Sequence, residues 1–146
     1  MVRDSETFQL FYESNVHPYD CGSDRYPAVL KAGLKQHGLE LSDVLAVTSD
    51  LGGLWAICRV GVFRGLLRGV FKKRVEVDEF IPYSEVTSIR QEPSGPHRSR
   101  IVLMGGSNER ARIDPSPRTT DDTSETTAAY RNHIYRILTQ AELSAR

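Results

Sequence analysis

The hydrophobic pattern of this 146-residue chain changes its period twice. Apolar side chains recur at helical spacing between about residues 24 and 37, and again from Asp122 to about residue 142. Between these segments, from Val44 to Ile113, short β-rich runs are separated by turns that contain glycine, proline or asparagine. Strands followed by a segregated helix are typical of an α+β fold. We therefore predict a helix, then about six antiparallel strands, then a long C-terminal helix.

Both predicted helices carry recognisable signals. Ser23 and Asp24 can cap the first helix, and Gly38 can end it. The last helix has an apolar stripe formed by Thr127, Tyr130, Ile134, Ile137, Leu138 and Ala141. Burial of this stripe would contribute about 10 kcal/mol before entropy is subtracted, so the helix must cover a sheet or a barrel end. Upstream, residues 8–12 are expected to form a short strand or a docking arm.

Net charge, cysteine content and the length of the apolar runs indicate the cellular compartment of this chain. Its 19 basic residues balance 19 acidic ones, so the whole molecule is not a polyelectrolyte for nucleic acid or membranes. Two cysteines, Cys21 and Cys58, are too few for a disulfide framework and favour free thiols in a reducing compartment. The N-terminus runs directly into charged residues, and no apolar run reaches the ~18–20 residues that span a bilayer. We expect a cytoplasmic protein, with peripheral attachment to the inner face of the membrane as the alternative.

The order of the elements and several segments carry a family resemblance. The first strand opens with Val44-Leu-Ala-Val-Thr-Ser-Asp50, the second with Leu54-Trp-Ala-Ile57, and a later segment reads Phe80-Ile-Pro-Tyr-Ser-Glu-Val-Thr-Ser-Ile89. A glycine-centred hairpin at 101–113 and the helix at 122–142 complete the order. This layout resembles the bacterial form of the pleckstrin-homology-like (PH/GRAM-like) family.

The resemblance implies a fold, a domain division and a range of functions. The fold would be α+β, an antiparallel β-barrel or sandwich capped by the C-terminal helix. Residues 43–142 would form the PH-like domain, and residues 1–42 an N-terminal extension with a helix at about 24–37. Members of the family bind phosphoinositide head groups, peptides or each other. Lipid-binding members carry Lys or Arg at the first hairpin, whereas Ser49-Asp-Leu-Gly-Gly53 has no base, so we do not expect inositol phosphate there.

The basic charge lies instead between Arg59 and Arg74, a stretch with six cationic residues and no acid. One interpretation is two strands that end near Val62 and restart near Val70, with a solvated turn between them. Another is an interfacial amphipathic helix. Glycines at every fourth position from Gly61 to Gly69 oppose the helix, because each costs roughly 0.8–1.0 kcal/mol relative to alanine. A nucleic-acid surface is the least favoured, because the rest of the chain has 13 basic and 19 acidic residues.

We predict that this connection forms an outward-pointing tip that binds a partner. Its apolar contacts would be Phe63, Leu66, Leu67 and Phe71. Its charged contacts would be Arg64, Arg68, Lys72 and Lys73. The leading functional hypothesis is a non-catalytic module for protein–protein contact or self-association, including pairing through a sheet edge. The alternative is attachment of the same tip to an anionic membrane.

Catalytic motifs are not evident in the sequence. The four histidines are scattered and no Cys-x-x-Cys pair is present, so we predict no metal site. Neither glycine pair is followed by the Gly-Lys-Ser/Thr of a phosphate loop, so we predict no nucleotide cofactor. The acidic cluster of Glu76, Asp78 and Glu79 is the one feature that favours an unrecognised enzyme, and a solvated strand edge explains it better. We therefore predict no enzymatic activity.

Overall fold

The computed structural model describes residues 2–14, 26–50, 53–69, 74–95, 98–115 and 124–146. Within these ranges the chain forms three α-helices and eight β-strands. The helices are α1 (Val2–Glu13), α2 (Tyr26–His37) and α3 (Ser124–Ala145). The strands are β1 (Val44–Asp50), β2 (Gly53–Cys58), β3 (Gly61–Arg68), β4 (Arg74–Val77), β5 (Ile81–Pro82), β6 (Ser88–Gly95), β7 (Arg98–Gly105) and β8 (Asn108–Ile113). The predicted helices and the α+β class are confirmed.

The strands make two antiparallel sheets. In the first, β1, β2, β3 and β4 are neighbours in that order, and the two residues of β5 also pair with β3. The second is a meander of β6, β7 and β8. Among the described residues no strand of one sheet pairs with a strand of the other, so the sheets do not close into a barrel.

An inner core lies between the two sheets and α3. The first sheet contributes Trp55, Ile57 and Val62, the second Ile101, Leu103 and Ile113, and α3 contributes Tyr130, Ile134 and Leu138. The apolar stripe predicted for the C-terminal helix is therefore the face that packs on the sheets. Only Ile137 of that stripe packs at the edge of the core rather than inside it.

A second core covers the other face of the first sheet. Helices α1 and α2 supply Phe11, Tyr26, Val29, Leu30 and Leu34, which pack on Val47, Leu54, Ala56 and Phe63. All six residues of β2 are buried, because helices cover one face of the strand and the second sheet and α3 cover the other. Such a strand has a continuous apolar run and no alternation.

Residues 8–12 were expected to form a short strand or an arm, and this prediction is wrong. They lie within α1, where Thr7, Phe11 and Ser14 are buried. These three residues are spaced i, i+4 and i+7, which places them on one face of a helix. Burial of that face against β1 favours the helix over an extended segment.

The predicted end of a strand near Val62 is also wrong. Strand β3 continues to Arg68, and the connection to β4 follows it. The glycines that suggested a turn lie inside the strand, where neighbours approach the backbone closely. A side-chain carbon on Gly65 would lie 2.5 Å from Val29 of α2, and one on Gly61 would overlap the Ile81 carbonyl. Glycine in a strand can mark such an approach as well as a turn.

Polar contacts also fasten the helices to the sheets. The Tyr130 hydroxyl donates to the Ser14 carbonyl at 3.0 Å and lies 2.9 Å from the Thr48 hydroxyl. Ser14 in turn accepts the Val47 N–H through its hydroxyl at 3.1 Å. One buried cluster therefore connects α1, β1 and α3. Beside it, Arg131 of α3 forms an ion pair with Asp114, which follows β8.

The close contact between α2 and β3 predicts an unusual effect of Gly33→Ala. Alanine is the better helix former by about 1 kcal/mol. However, a side-chain carbon at Gly33 would overlap the Phe63 ring. We expect Gly33→Ala to lower the free energy of unfolding by about 1–3 kcal/mol, as overpacking does. Urea unfolding measures the change.

Two variants control this experiment. Gln36→Ala, at an exposed position of the same helix, should stay within about 0.5 kcal/mol of the native protein. In a Phe63→Leu background the added loss from Gly33→Ala should shrink, because the ring is gone. A Gly33→Ala protein as stable as the native one would contradict this packing.

Candidate functional site

The structure does not bring the eight predicted contact residues to one tip. Phe63 is 1% exposed and belongs to the core under α2, where its ring lies 5.2 Å from that of His37. Its prediction as an outward contact is therefore wrong, because β3 runs through this position and its outer face is covered by α2. Leu66 and Leu67 are half-buried in the same strand, and Leu67 packs against the core under α2.

The charged residues of the stretch also have different surroundings. Arg64 is half-buried and is the direct cross-strand partner of Trp55. Arg68 is exposed at the end of β3 and pairs with Glu76 at 2.5 Å, and Arg74 pairs with the same carboxylate at 3.3 Å. Glu76 thus balances part of the local charge. The remaining predicted contacts, Phe71, Lys72 and Lys73, lie outside the described residues.

A groove of about 520 Å³ lies elsewhere, between α3 and the strand ends near Leu45 and Arg59. We call it the α3 groove. Its lining residues are Leu45, Arg59, His133, Arg136, Ile137, Gln140, Ala141 and Ser144. Six of the eight belong to α3, and they share one arc of its last three turns. The groove thus lies where the buried face of the helix, at Ile137 and Ala141, meets its exposed face.

Exposed apolar side chains lie in this groove and next to it in the chain. In the described part of the chain, the large apolar residues that are exposed are Leu45, Val60 and Leu143, at 36%, 51% and 61%. Leu45 lines the groove, Val60 follows Arg59, and Leu143 is the helical neighbour of Gln140 at i+3. Each of the three therefore either lines the groove or adjoins a lining residue in the chain.

The outward position of Leu45 has a local cause. The register between β1 and β2 pairs Val44 with Cys58 and Ala46 with Ile57, which leaves Leu45 without a partner opposite. This is a β-bulge, and bulges redirect a side chain. Sequence reasoning missed it because the run from Val44 to Val47 is apolar throughout.

The charged lining of the α3 groove is basic. Arg59 and Arg136 are exposed, His133 lies about one helical turn before Arg136, and none of the described residues that line the groove is acidic. Arg59 Nε donates to the Ser42 carbonyl at 3.3 Å, which holds its side chain beside the groove. Neither arginine forms an ion pair with a described residue, so both charges face solvent. The groove can therefore hold an apolar group that carries negative charge.

The described residues show no arrangement for nucleophilic or metal chemistry. Cys58 is fully buried, and burial together with Asp43 raises the pKa of its thiol to about 12. A reactive cysteine needs the opposite, a lowered pKa and access. No group of three or more His, Cys, Asp or Glu residues within the described ranges could hold a metal ion. None of the described helices combines the length and the apolar character that crossing a membrane requires.

The buried thiol and a buried phenol predict the stability at alkaline pH. Burial raises the pKa of Cys58 and that of Tyr130 to about 12, from 9.0 and 10.0. The unfolded chain therefore loses these protons at lower pH than the folded protein does. The contribution of these two groups to the free energy of unfolding should be constant well below pH 9 and should fall as pH rises through 9 toward 12.

Urea titrations across this pH range measure the slope. Cys58→Ala lowers stability at every pH, but its alkaline slope should be shallower than that of the native protein because one titrating group is gone. Ser144→Ala, at an exposed position, should keep the native slope. Equal slopes for Cys58→Ala and the native protein would refute the role of the thiol.

Comparison with protein-family models, curated proteins and solved structures gave no match for this chain. A function for this chain therefore has to be inferred from its own surfaces.

Proposed function

We propose that this chain is a non-catalytic, PH-like binding module whose α3 groove docks an acidic amphipathic helix of a protein partner. The order of elements supports the PH-like part of the proposal. A meander of four strands is followed by a meander of three and by a closing helix whose apolar stripe packs on both sheets. This is the order on which the sequence resemblance rests.

The observation that carries the docking proposal is the combination of apolar floor and basic rim in the α3 groove. Amphipathic helices insert apolar anchors at i, i+3, i+4 and i+7 into such grooves. Acidic residues beside those anchors would meet Arg59 and Arg136, and no described residue of the groove lining would repel them. Complementary charge of this kind speeds encounter and excludes partners of the wrong sign.

Exposed apolar side chains beside the groove favour a helix over a small molecule. The groove volume alone lies in the range of ~300–1,000 Å³ that small ligands occupy. However, Val60 and Leu143 are also exposed, and each adjoins a lining residue of the groove in the chain. A ligand confined to the groove would leave both side chains in water, whereas a helix of a few turns has the length to contact them as well.

A second copy of this chain is a poorer occupant than a separate partner. Helix α1 is the acidic helix among those described, with Asp4, Glu6 and Glu13. Its apolar anchor Phe11 is already fully buried against the first sheet. Helix α2 is basic, and its apolar face is also buried. The buried apolar residues of α1 and α2 are therefore not available as anchors for the groove of a second copy.

Binding of a synthetic helical peptide tests the proposal. The peptide carries leucines at i, i+3, i+4 and i+7 and glutamates beside them, and a matched peptide carries lysines instead. We expect saturable binding of the acidic peptide, weakened by salt, and much weaker binding of the basic one. Arg59→Glu with Arg136→Glu should weaken binding at least about tenfold, because each charge contact contributes on the order of 1 kcal/mol. Fluorescence anisotropy of labelled peptides measures both affinities.

A matched charge reversal controls for nonspecific attraction. Arg90→Glu with Arg100→Glu changes two arginines of the second sheet and should leave peptide affinity near the native value. Equal binding of the two peptides, or equal effects of the two double variants, would defeat the proposal. Light scattering should give the monomer mass, and a dimer abolished by Arg59→Glu with Arg136→Glu would assign the groove to a second copy.

Membrane attachment through the end of the β3–β4 hairpin is a second candidate. The side chains of Arg68 and Arg74 are 60% and 76% exposed there, close to the predicted contacts Phe71, Lys72 and Lys73. Each basic residue near an anionic surface contributes about 1 kcal/mol. Glu76 reduces the effect, because its carboxylate pairs with both arginines.

Vesicle sedimentation separates this candidate from peptide docking. If the hairpin binds membranes, the native protein should pellet with anionic vesicles at low salt and not with neutral ones. Changing Arg68, Lys72 and Lys73 to Glu should abolish pelleting, while Arg59→Glu with Arg136→Glu should preserve it. Absence of salt-sensitive pelleting of the native protein removes the membrane candidate.

A further inference from the structure

A second cleft, of about 300 Å³, lies between the edges of the two sheets, and we call it the seam slot. Its lining residues are Trp55, Arg64, Asp78, Glu79, Ile81, Arg110, Ala111 and Arg112. Three of them are consecutive in β8. Side chains of a strand alternate between faces, so a cleft that all three line runs along the strand edge. β8 pairs only with β7, and β4 and β5 pair only with β3, among the described strands.

The three arginines of the seam slot differ in their partners. Arg110 pairs with Glu85 at 2.5 Å, and Arg112 pairs with Glu109 at 2.5 Å. Arg64 forms no ion pair with a described residue. Its Nη2 makes one long hydrogen bond, 3.5 Å, to the Asp50 carbonyl, and its buried Nε has no hydrogen-bond partner in the described part of the chain. Among the three arginines of the slot, Arg64 is therefore the one whose guanidinium has unused hydrogen-bond donors.

The backbone fixes the position of Arg64. Its side chain crosses Gly53 of β2, where a side-chain carbon would lie 2.5 Å from Nε. Its cross-strand partner Trp55 is held by a hydrogen bond from the indole N–H to the Asp50 carboxylate at 3.4 Å. Arg64 and Trp55 are thus directly paired across β3 and β2, and both line the slot. A guanidinium held in one place favours bidentate recognition of a carboxylate.

Two acids also line the slot. Asp78 and Glu79 are exposed, and their carboxylates make no ion pair or hydrogen bond with a described residue. The Asp78 N–H donates to the Arg64 carbonyl at 2.8 Å, so the acids begin beside Arg64, where the backbone is bonded to β3. The slot thus combines the guanidinium of Arg64 and two unpaired carboxylates with the apolar side chains of Trp55, Ile81 and Ala111.

We propose that the seam slot binds a small zwitterion of the α-amino acid type with an apolar side chain. Its carboxylate pairs with Arg64, its ammonium group lies at Asp78 and Glu79, and its side chain packs on Trp55 and Ile81. A simple oxyanion would leave both acids unpaired beside it, and a simple cation would leave Arg64 without an acceptor. The volume is at the lower end of small-ligand pockets, about 300 Å³, which suits a molecule of this size. This site is separate from the α3 groove.

Trp55 is the only tryptophan of the chain, so intrinsic fluorescence reports on the slot directly. The probes are leucine, N-acetyl-leucine, which lacks the ammonium group, leucinamide, which lacks the carboxylate, and inorganic phosphate. We expect a saturable change with leucine and at least about tenfold weaker binding of the other three, since each loses a charged contact. Arg64→Gln should remove the response to leucine. Arg90→Gln, which changes an arginine paired with Glu92 on β6, should retain it.

Variants at the two acids and at the groove complete the test. Asp78→Asn with Glu79→Gln should weaken the binding of leucine but not that of N-acetyl-leucine. Arg64→Lys keeps the positive charge but loses the planar guanidinium, so it should also weaken the binding of leucine. It replaces Arg64→Gln in the experiment if that variant does not fold. Arg59→Glu with Arg136→Glu should bind leucine like the native protein, which separates this site from the groove. No saturable response to leucine, or equal affinity for leucine, N-acetyl-leucine and phosphate, would overturn the proposal.

Discussion

Burial of the first sheet on both faces is the constraint on which the other features depend. Helices α1 and α2 cover one face, and the second sheet with α3 covers the other. Strand β2 is buried along its whole length, and the first three residues of β3 are buried too. For this reason Phe63 belongs to the core although arginines follow it closely. Because α2 lies so close to β3, Gly33 and Gly65 cannot carry side chains without displacing Phe63 and Val29.

Two-sided burial also explains which parts of the fold the sequence could predict. The amphipathic C-terminal helix and strand β8 each have one solvated and one buried face, so their periods are visible in the sequence. Strand β3 has no such alternation, and its glycines are typical of turns as well as of close packing. Only the position of α2, which is a tertiary contact, distinguishes the two. Thr7, Phe11 and Ser14, which are buried, recur at helical spacing in the sequence. Their pattern was missed because the aromatic residues of 8–12 suggested an extended segment.

The candidate surfaces were less predictable than the fold. Ile137 was predicted as an apolar stripe residue, but the stripe does not say which of its members lies at the edge of the core. The bulge at Leu45 leaves no pattern in an apolar run, and Arg59 joins the groove because the β2–β3 turn ends beside α3. The charge of the 59–74 stretch was read correctly, yet Arg59, Arg64 and Arg68 reach three different surroundings. Charge density along a chain does not predict a surface when the chain folds into strands.

Helix α3 connects the core to the α3 groove. Its first half is fixed by the hydroxyl cluster at Tyr130 and by the ion pair of Arg131 with Asp114, and its second half by Leu138 and Ala141. The outward arc of that second half is one wall of the groove. A wall held by buried contacts on its other side keeps its shape before a partner arrives, which lowers the entropy lost on binding.

The seam slot, in contrast, lies at an open sheet edge, because one edge of β8 has no neighbouring strand among the described residues. Since backbone groups at such an edge need partners, an open seam is stable only when water, side chains or a ligand supply them. In this molecule charged side chains line the edge: Arg110 and Arg112 with their own carboxylates, and Arg64 with donors still free.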